Sequence, residues 1–297
     1  MRIITRPDFD GVVCASLLYE AEDIEGSVKW VEPNEIQKGL VDVREGDIIA
    51  NLPYDERCSL WFDHHHSNSI DKPYKGSFKI APSAAGIVYE YYKDRFERDY
   101  SELVTETDKI DSANLSLDEV LHPEKYSYVL LSMTVLGRDE VDETYWNNLV
   151  EYLRKYDIDK ILNFPEVKRR CQSVVAQNKI FKGILQNHTK LIKHVSITDF
   201  RSFDKTPTGN RFLVYSLFPE AIVSVKIRYP DTSKKKVSVS VGHSIFNRKC
   251  RVNVGHMLSR FEGGGHRGAG SCTFHVSKAE EYIASILDLL LKNEPIS

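Results

Sequence analysis

Two aspartates one residue apart, Asp8 and Asp10, follow a short apolar start and precede Gly11. In an extended segment residues i and i+2 point the same way, so both carboxylates can reach one point. Gly11 removes side-chain bulk and lets the backbone turn into a following helix. Carboxylate oxygens are hard donors that suit magnesium or manganese, although acids at such a turn also serve as plain helix caps. A second cluster, Asp63-His64-His65-His66, comes directly after Leu60-Trp61-Phe62. Neutral imidazole ligates transition metals. Neighbouring side chains diverge, so one histidine can bind metal while the next faces a substrate. His66 adds a third imidazole that could bind metal adventitiously. The third constellation is Gly263-Gly264-Gly265-His266-Arg267-Gly268-Ala269-Gly270. Consecutive glycines let backbone amides approach an anion, forming a nest for phosphate, or they simply make a tight corner. His266 and Arg267 add donors, and an arginine fork matches a phosphate.

The surrounding pattern explains how such residues would be positioned. Strands are expected at Ile3-Ile4-Thr5, at 28–31, at Asp47-Ile48-Ile49-Ala50 and at Ser59-Leu60-Trp61-Phe62, with helices over 12–21 and 84–96. This β-α-β order predicts a mostly parallel sheet with flanking helices, and such sheets bind ligands at the carboxyl ends of their strands. Asp8, Asn51 and Asp63-His64-His65 all lie at those ends. Helical patterns follow over 126–136, 145–156 and 167–191. Strand character returns at Val195-Ser196-Ile197-Thr198 and in a hairpin of 221–229 with 236–241. A helix near 254–261, a glycine-rich turn, a strand over 271–276 and a helix over 278–291 complete the chain. The fold class is therefore α/β. It comprises a domain over 1–115, a helical connector over 116–191 and a smaller α/β domain over 192–297.

Composition narrows the class. The chain has 297 residues and a formal net charge of -3, which argues against a general nucleic-acid coat but leaves room for a local basic pocket. No stretch approaches the roughly 18 apolar residues of a membrane span, and the start lacks the apolar core of a signal peptide. The five cysteines, Cys14, Cys58, Cys171, Cys250 and Cys272, show no CxxC spacing, which favours reduced thiols and a cytoplasmic location.

In order and separation the three motifs resemble the DHH/DHHA1 phosphoesterase superfamily, including its RecJ-like, oligoribonuclease/pAp phosphatase and exopolyphosphatase-related members. The first motif is matched by Asp8-Phe9-Asp10-Gly11, the third by Asp63-His64-His65, and the GGGH loop of the substrate domain by the run from Gly263. The resemblance implies that Asp8, Asp10 and His64 ligate metal, that His65 contacts phosphate and that Asp63 supports the site. It assigns substrate contacts to Gly263, Gly264, Gly265, His266, Arg267 and Gly268. The family's fourth motif supplies an aspartate from a helix end. Here Asp108 and Asp111 lie on one helical face, and Asp108 is the preferred candidate.

Two positions depart from the family. Relatives with two metals often carry a histidine where Ile4 stands, and their second motif supplies a bridging aspartate where Asn51 stands. An amide oxygen binds a hard cation without offsetting the charge of two. Three outcomes follow: one tight metal with a second arriving with substrate, substitution by Asp47 or Asp55, or a degenerate binding module. The implied reaction is metal-dependent hydrolysis of a phosphoester in a small nucleotide or short single-stranded oligonucleotide, with one or two Mn2+ or Mg2+ ions. Phe246-Asn247-Arg248-Lys249 offers stacking and charge for such a substrate. The alternatives are a polyphosphate or pyrophosphate hydrolase, served by a basic run such as Lys234-Lys235-Lys236, and a phosphate-binding regulator. A homodimer is compatible with this reading.

Overall fold

Short runs of β-branched and aromatic residues, each too apolar to tolerate solvent on either face, build a sheet buried on both sides. The computed structural model describes residues 1–135 and 142–295. The chain divides into two compact units, one of residues 1–115 with 123–172, the other of 116–122 with 173–297. The first holds β1 (Arg2–Thr5), β2 (Lys29–Trp30), β3 (Asp47–Ala50), β4 (Leu60–Asp63) and β5 (Gly76–Phe78). Their order is β2-β1-β3-β4-β5 and every pairing is parallel. Ile3, Ile4, Ile48, Ile49, Ala50, Trp61 and Phe62 are all fully buried, as a parallel sheet covered by helices requires. From β1 the chain goes to β2 on one side and then to β3 on the other. The carboxyl ends of β1 and β3 are thus the switch point where such sheets bind ligands.

The helices of this unit are α1 (Phe9–Ala21), α2 (Pro33–Gln37), α3 (Ala84–Tyr91) and α4 (Ser101–Asp111). After α5 (Leu117–Leu121), which belongs to the second unit, come α6 (Ser127–Ser132), α7 (Glu143–Lys155) and α8 (Ile158–Asn163). α1 is apolar on nearly all sides, with Val12, Val13, Cys14, Ala15, Leu17 and Leu18 fully buried, because α3, α4 and α7 pack against it. The boundary between the units falls within the long helix α9 (Pro165–His188).

The second unit carries β6 (Thr189–Ile192), β7 (Val195–Asp199), β8 (Val223–Arg228), β9 (Lys236–His243), β10 (Gly263–Gly265) and β11 (Ala269–His275). They form a mixed sheet of order β10-β11-β9-β8-β7-β6, parallel only between β7 and β8. Besides α5 and the later part of α9, its described helices are α10 (Leu213–Leu217), α11 (Val254–Ser259) and α12 (Ala279–Lys292). Val223, Val225, Val237, Val239, Phe274, Ile286 and Leu290 form its core.

The α/β architecture expected from the sequence is present, with local differences. The helix expected over 84–96 stops at Tyr91 and continues only as a 3₁₀ turn. The helix expected over 167–191 ends at His188. Residues 189–192 instead pair antiparallel with β7, tied by a 2.8 Å bond between the Thr189 and Thr198 hydroxyls. The short edge strand β5 has no sequence signal of its own. Its Gly76 is required because a Cβ there would lie 2.1 Å from the Trp61 carbonyl oxygen. The helix expected over 126–136 is shorter, α6 ending at Ser132, and its expected last residue, Leu136, lies outside the described residues.

Candidate metal and substrate site

Gly11 sets the geometry at the end of β1. A Cβ on it would fall 2.0 Å from the Arg6 carbonyl oxygen, so the chain can fold this tightly into α1 only with glycine. Asp8 is the N-cap of α1, its Oδ1 accepting from the Gly11 amide at 2.9 Å. The same oxygen accepts from Asn51 Nδ2 at 2.9 Å, and Oδ2 lies 3.3 Å from Arg6 Nε. Asp10, in the first turn of the helix and not in the extended segment expected from the sequence, is buried. Its Oδ2 and Oδ1 accept from the Ala84 and Ala85 amides at 2.9 and 2.8 Å, the free N–H groups at the start of α3.

Asp63 ends β4 and is wholly buried. Its Oδ1 accepts from the His64 amide at 2.9 Å and binds His65 Nδ1 at 2.8 Å, while Oδ2 accepts from Asn68 Nδ2 at 2.6 Å. The carboxylate shapes the loop, and Asp63, His64 and His65 also bring ligand atoms within 4.8 Å of one another. His64 Nδ1 lies 3.0 Å from the Ala81 carbonyl. A carbonyl only accepts, so Nδ1 carries the proton and Nε2 keeps a lone pair. That Nε2 is 3.4 Å from Asp111 Oδ2 and 3.8 Å from Asp10 Oδ2, and it has no hydrogen-bond donor to face.

Asp10, His64 and Asp111 therefore present three acceptor atoms to one small volume, within 4.8 Å of one another. Acceptors converging in a buried place repel unless a proton or a cation sits among them. The residue types suit a divalent cation with mixed oxygen and nitrogen ligands. Electrostatics tell the same story. Burial, with Asp111 and Asp8 nearby, holds the Asp10 carboxyl well above the usual carboxylate range. Burial also pushes Asp8 up to about 6, opposed by Arg6 and reinforced by Asp111. Burial and the neighbouring His65 push His64 down, which favours the neutral, ligating imidazole. For His65 burial acts downward too, but the bond to Asp63 and its charge outweigh it and raise the imidazolium.

Among the remaining expected residues, Asp108 and Asp111 are placed differently. Asp108 Oδ1 accepts from Ser83 Oγ at 2.5 Å, and Ser83 caps α3, whereas Asp111, one turn on, reaches His64. Asn51 is buried with a left-handed φ of 57°, its Oδ1 without a partner. Neither Asp47 nor Asp55 is among the groups that converge with His64. Asp47 opens β3 at the opposite end and is bound by Arg2 at 2.9 and 2.7 Å, and Asp55 is clamped by Arg57. Ile4 is a core residue with no exposure. His66 is exposed. Sequence reasoning did not pick out Arg6, Ser83 or Asn68. Ser83 was legible as an N-cap before an apolar helix, while Asn68 carries no such signal.

The glycine motif differs most from expectation. Gly263, Gly264 and Gly265 form edge strand β10 against β11 instead of an open nest of amides. A Cβ on Gly263 would meet the Cys272 Cβ at 2.4 Å, and one on Gly255 of α11 would meet the Gly265 carbonyl oxygen at 2.2 Å. Close packing of strand, sheet and helix therefore demands these glycines. The turn that follows is pinned by its backbone. The Val254 and Gly255 amides donate to the Arg267 and His266 carbonyls at 2.9 Å, and the His243 amide donates to Gly268 O at 2.7 Å. His266 and Arg267 are left exposed at the tip, with Gly268 half-buried below them. In the 246–249 segment the Phe246 and Asn247 amides donate to Ser244 Oγ.

No family model and no curated protein matches the chain. Solved structures do. A pGpG-specific phosphodiesterase, PggH, from Vibrio cholerae is 32% identical, with 99% of each chain covered and a TM-score of 0.84. RecJ from Thermus thermophilus in complex with Mn2+ is 11% identical with a TM-score of 0.60. That match covers 98% of this chain and 52% of RecJ, and it speaks to fold alone. A second manganese-bound RecJ exonuclease matches at 10% identity and a TM-score of 0.54. Among the described residues no helix is long and apolar enough to cross a membrane.

Proposed function

Because the chain belongs to the DHH/DHHA1 phosphoesterase superfamily and is a hydrolase of that type, we propose that it cleaves the phosphodiester of a linear dinucleotide or similarly short oligonucleotide. The observation that carries this reading is the convergence of Asp10, Asp111 and the lone pair of His64 Nε2, an arrangement of acceptors that calls for a cation. The substrate class rests on the full-length likeness to a phosphodiesterase specific for pGpG. Asp10, His64 and Asp111 would hold a divalent ion, with Asp8 and Asn51 beside them, and Mn2+ is our choice given the imidazole ligand. Bound there, the ion would bring a water's pKa toward neutrality and offset phosphoryl charge. Asp63 fixes the His65 ring through Nδ1, which leaves Nε2 to donate to a phosphoryl oxygen. Asp108 acts at one remove by holding Ser83 at the start of α3, whose amides fix Asp10. In the second unit the exposed His266 and Arg267, on a turn pinned by its backbone, carry donors that suit a phosphate group. The five unpaired thiols agree with a cytoplasmic location.

The test incubates the purified chain with Mn2+ and linear diguanylate, with polyphosphate and pyrophosphate in parallel. Release of mononucleotide that is lost on chelation and in Asp10→Ala is expected. Hydrolysis of polyphosphate or pyrophosphate without cleavage of the dinucleotide would overturn the substrate assignment.

A further inference from the structure

Asp8 and Asp10 are treated very differently by their surroundings. Both Asp10 oxygens accept main-chain amides, yet its carboxylate still faces the unpartnered His64 Nε2 beside Asp111. Both Asp8 oxygens are instead engaged by side chains that compete with a metal. Asn51 Nδ2 and the Gly11 amide donate to Oδ1, and the Arg6 guanidinium sits 3.3 Å from Oδ2. Arg6 is itself anchored by Glu32 at 3.7 Å, so it is part of a network and not a stray side chain. Asn51 is 1% exposed, and its bond to Asp8 fixes which way the amide points. A neutral oxygen is thereby left buried without a donor.

The geometry points to an asymmetric centre in which Asp10, His64 and Asp111 hold one divalent cation tightly, while Asn51 and Arg6 reserve Asp8 so that a second ion binds only when a phosphate brings negative charge. This rests on the metal centre of the proposed function and concerns its stoichiometry. Two divalent ions a few ångströms apart repel strongly, and anions between them must offset that repulsion. Around Asp8 the structure supplies a guanidinium and an amide N–H group, both of which work against a second cation. The unpartnered Asn51 oxygen can ligate such an ion but adds no charge. A phosphoryl group could supply the missing charge and could also draw Arg6 away from Asp8, since a guanidinium pairs readily with phosphate. Occupancy of the second place would thus be tied to the presence of substrate.

The experiment counts ions with no substrate present, so it stands or falls independently of dinucleotide hydrolysis. The full chain is loaded with Mn2+, desalted, and read by elemental analysis and low-temperature EPR. One Mn2+ per chain with an uncoupled signal is expected, and added orthophosphate should recruit a second, exchange-coupled ion. Asn51→Asp supplies the absent charge and should tighten the second ion by about tenfold or more, giving coupled pairs without phosphate. Arg6→Gln, which leaves Asn51 in place, should shift the second ion in the same direction and carries the test if the aspartate variant does not fold. Two coupled ions retained by the unsubstituted chain without phosphate, no retained ion at all, or a second-ion affinity indifferent to both substitutions would overturn the inference.

Discussion

Around Asp10 and Asp63 the side chains are locked, by one another and by main-chain amides. Around His266 and Arg267 it is the main chain that is locked, and the side chains stand in solvent. The first arrangement suits groups whose positions must not change when charge develops, since buried and pre-oriented dipoles need no reorganisation. Its cost is visible in the carboxyls of Asp8 and Asp10, both raised by burial. The second suits a grip on a charged ligand that arrives from water. Exposed polar side chains are cheap to maintain, and the rigid turn beneath them limits the entropy lost on binding. Substitutions in the first region should therefore act on turnover, and those in the second on apparent substrate affinity.

Asp10→Asn is the strongest way to break that division. It keeps the shape but removes one of the charges facing His64 Nε2, and its amide N–H₂ would clash with the donors at Ala84 or Ala85. Loss of kcat on a dinucleotide by roughly 10³-fold or more is expected, together with loss of Mn2+ retention. His65→Ala should lower kcat by about 10²-fold with little effect on metal content, as the phosphoryl-side role proposed for it requires. Asp63→Asn sharpens the point. It should mimic His65→Ala in part, since the amide cannot both orient Nδ1–H and stabilise the imidazolium. A fall in KM-dependent affinity with kcat unchanged in any of these would erase the contrast between the two regions.

Arg267→Ala and His266→Ala should do what the first set does not. Loss of one charge-assisted contact is worth about tenfold in KM, with kcat held within a small factor. Gly255→Ala serves as the structural control in the same unit. Its Cβ would press on the Gly265 carbonyl and should cost about 1–3 kcal/mol of stability, read as a lower Tm. If Arg267→Ala lowers kcat as much as His65→Ala does, the exposed turn is part of the chemistry and the two regions are not divided as argued.

The two regions also differed in how readable they were. Asp8 and the Asp63-His64-His65 run could be placed just past strand ends because apolar runs of two to four residues mark a parallel sheet, whereas Asp10, expected in the same extended segment, lies in the first turn of α1. What Asp108 and Asp111 each face could not be read, because it depends on where Ser83 and His64 lie, far away in sequence. The glycine run was read by its composition as a turn. Its actual form, an edge strand, is set by Cys272 and Gly255, whose proximity no local pattern announces. The edge strand β6 was hidden inside a helical pattern because its state is decided by pairing with β7.

The smallest effect concerns proton and metal in competition, and it probes the cost of burying acids in the first region. In the metal-free folded chain the Asp8 carboxyl is pushed up to about 6 by burial against a usual value of 3.8. Between those values the folded state holds the proton more tightly than the unfolded state. The contribution is therefore fully present below about pH 4 and is lost as pH rises through 6. Asp10, raised in the same direction, adds to it. Asp8→Asn keeps an acceptor for Gly11 and Asn51 but cannot ionise. Without metal it should melt a few degrees above the unsubstituted chain at pH 7, and the gap should close as pH falls toward 4. Saturating Mn2+ should act the other way at pH 7, stabilising by about 2.7 kcal/mol at a hundredfold excess over Kd. That gain should shrink as acid returns the protons to the carboxylates. Thermal melts of both chains from pH 4 to 7, with and without Mn2+, read all of this. A gap between them that is constant with pH would mean that the Asp8 carboxylate is no burden to the metal-free fold, and the contrast between a strained buried cluster and a relaxed exposed one would then rest on Asp10 alone.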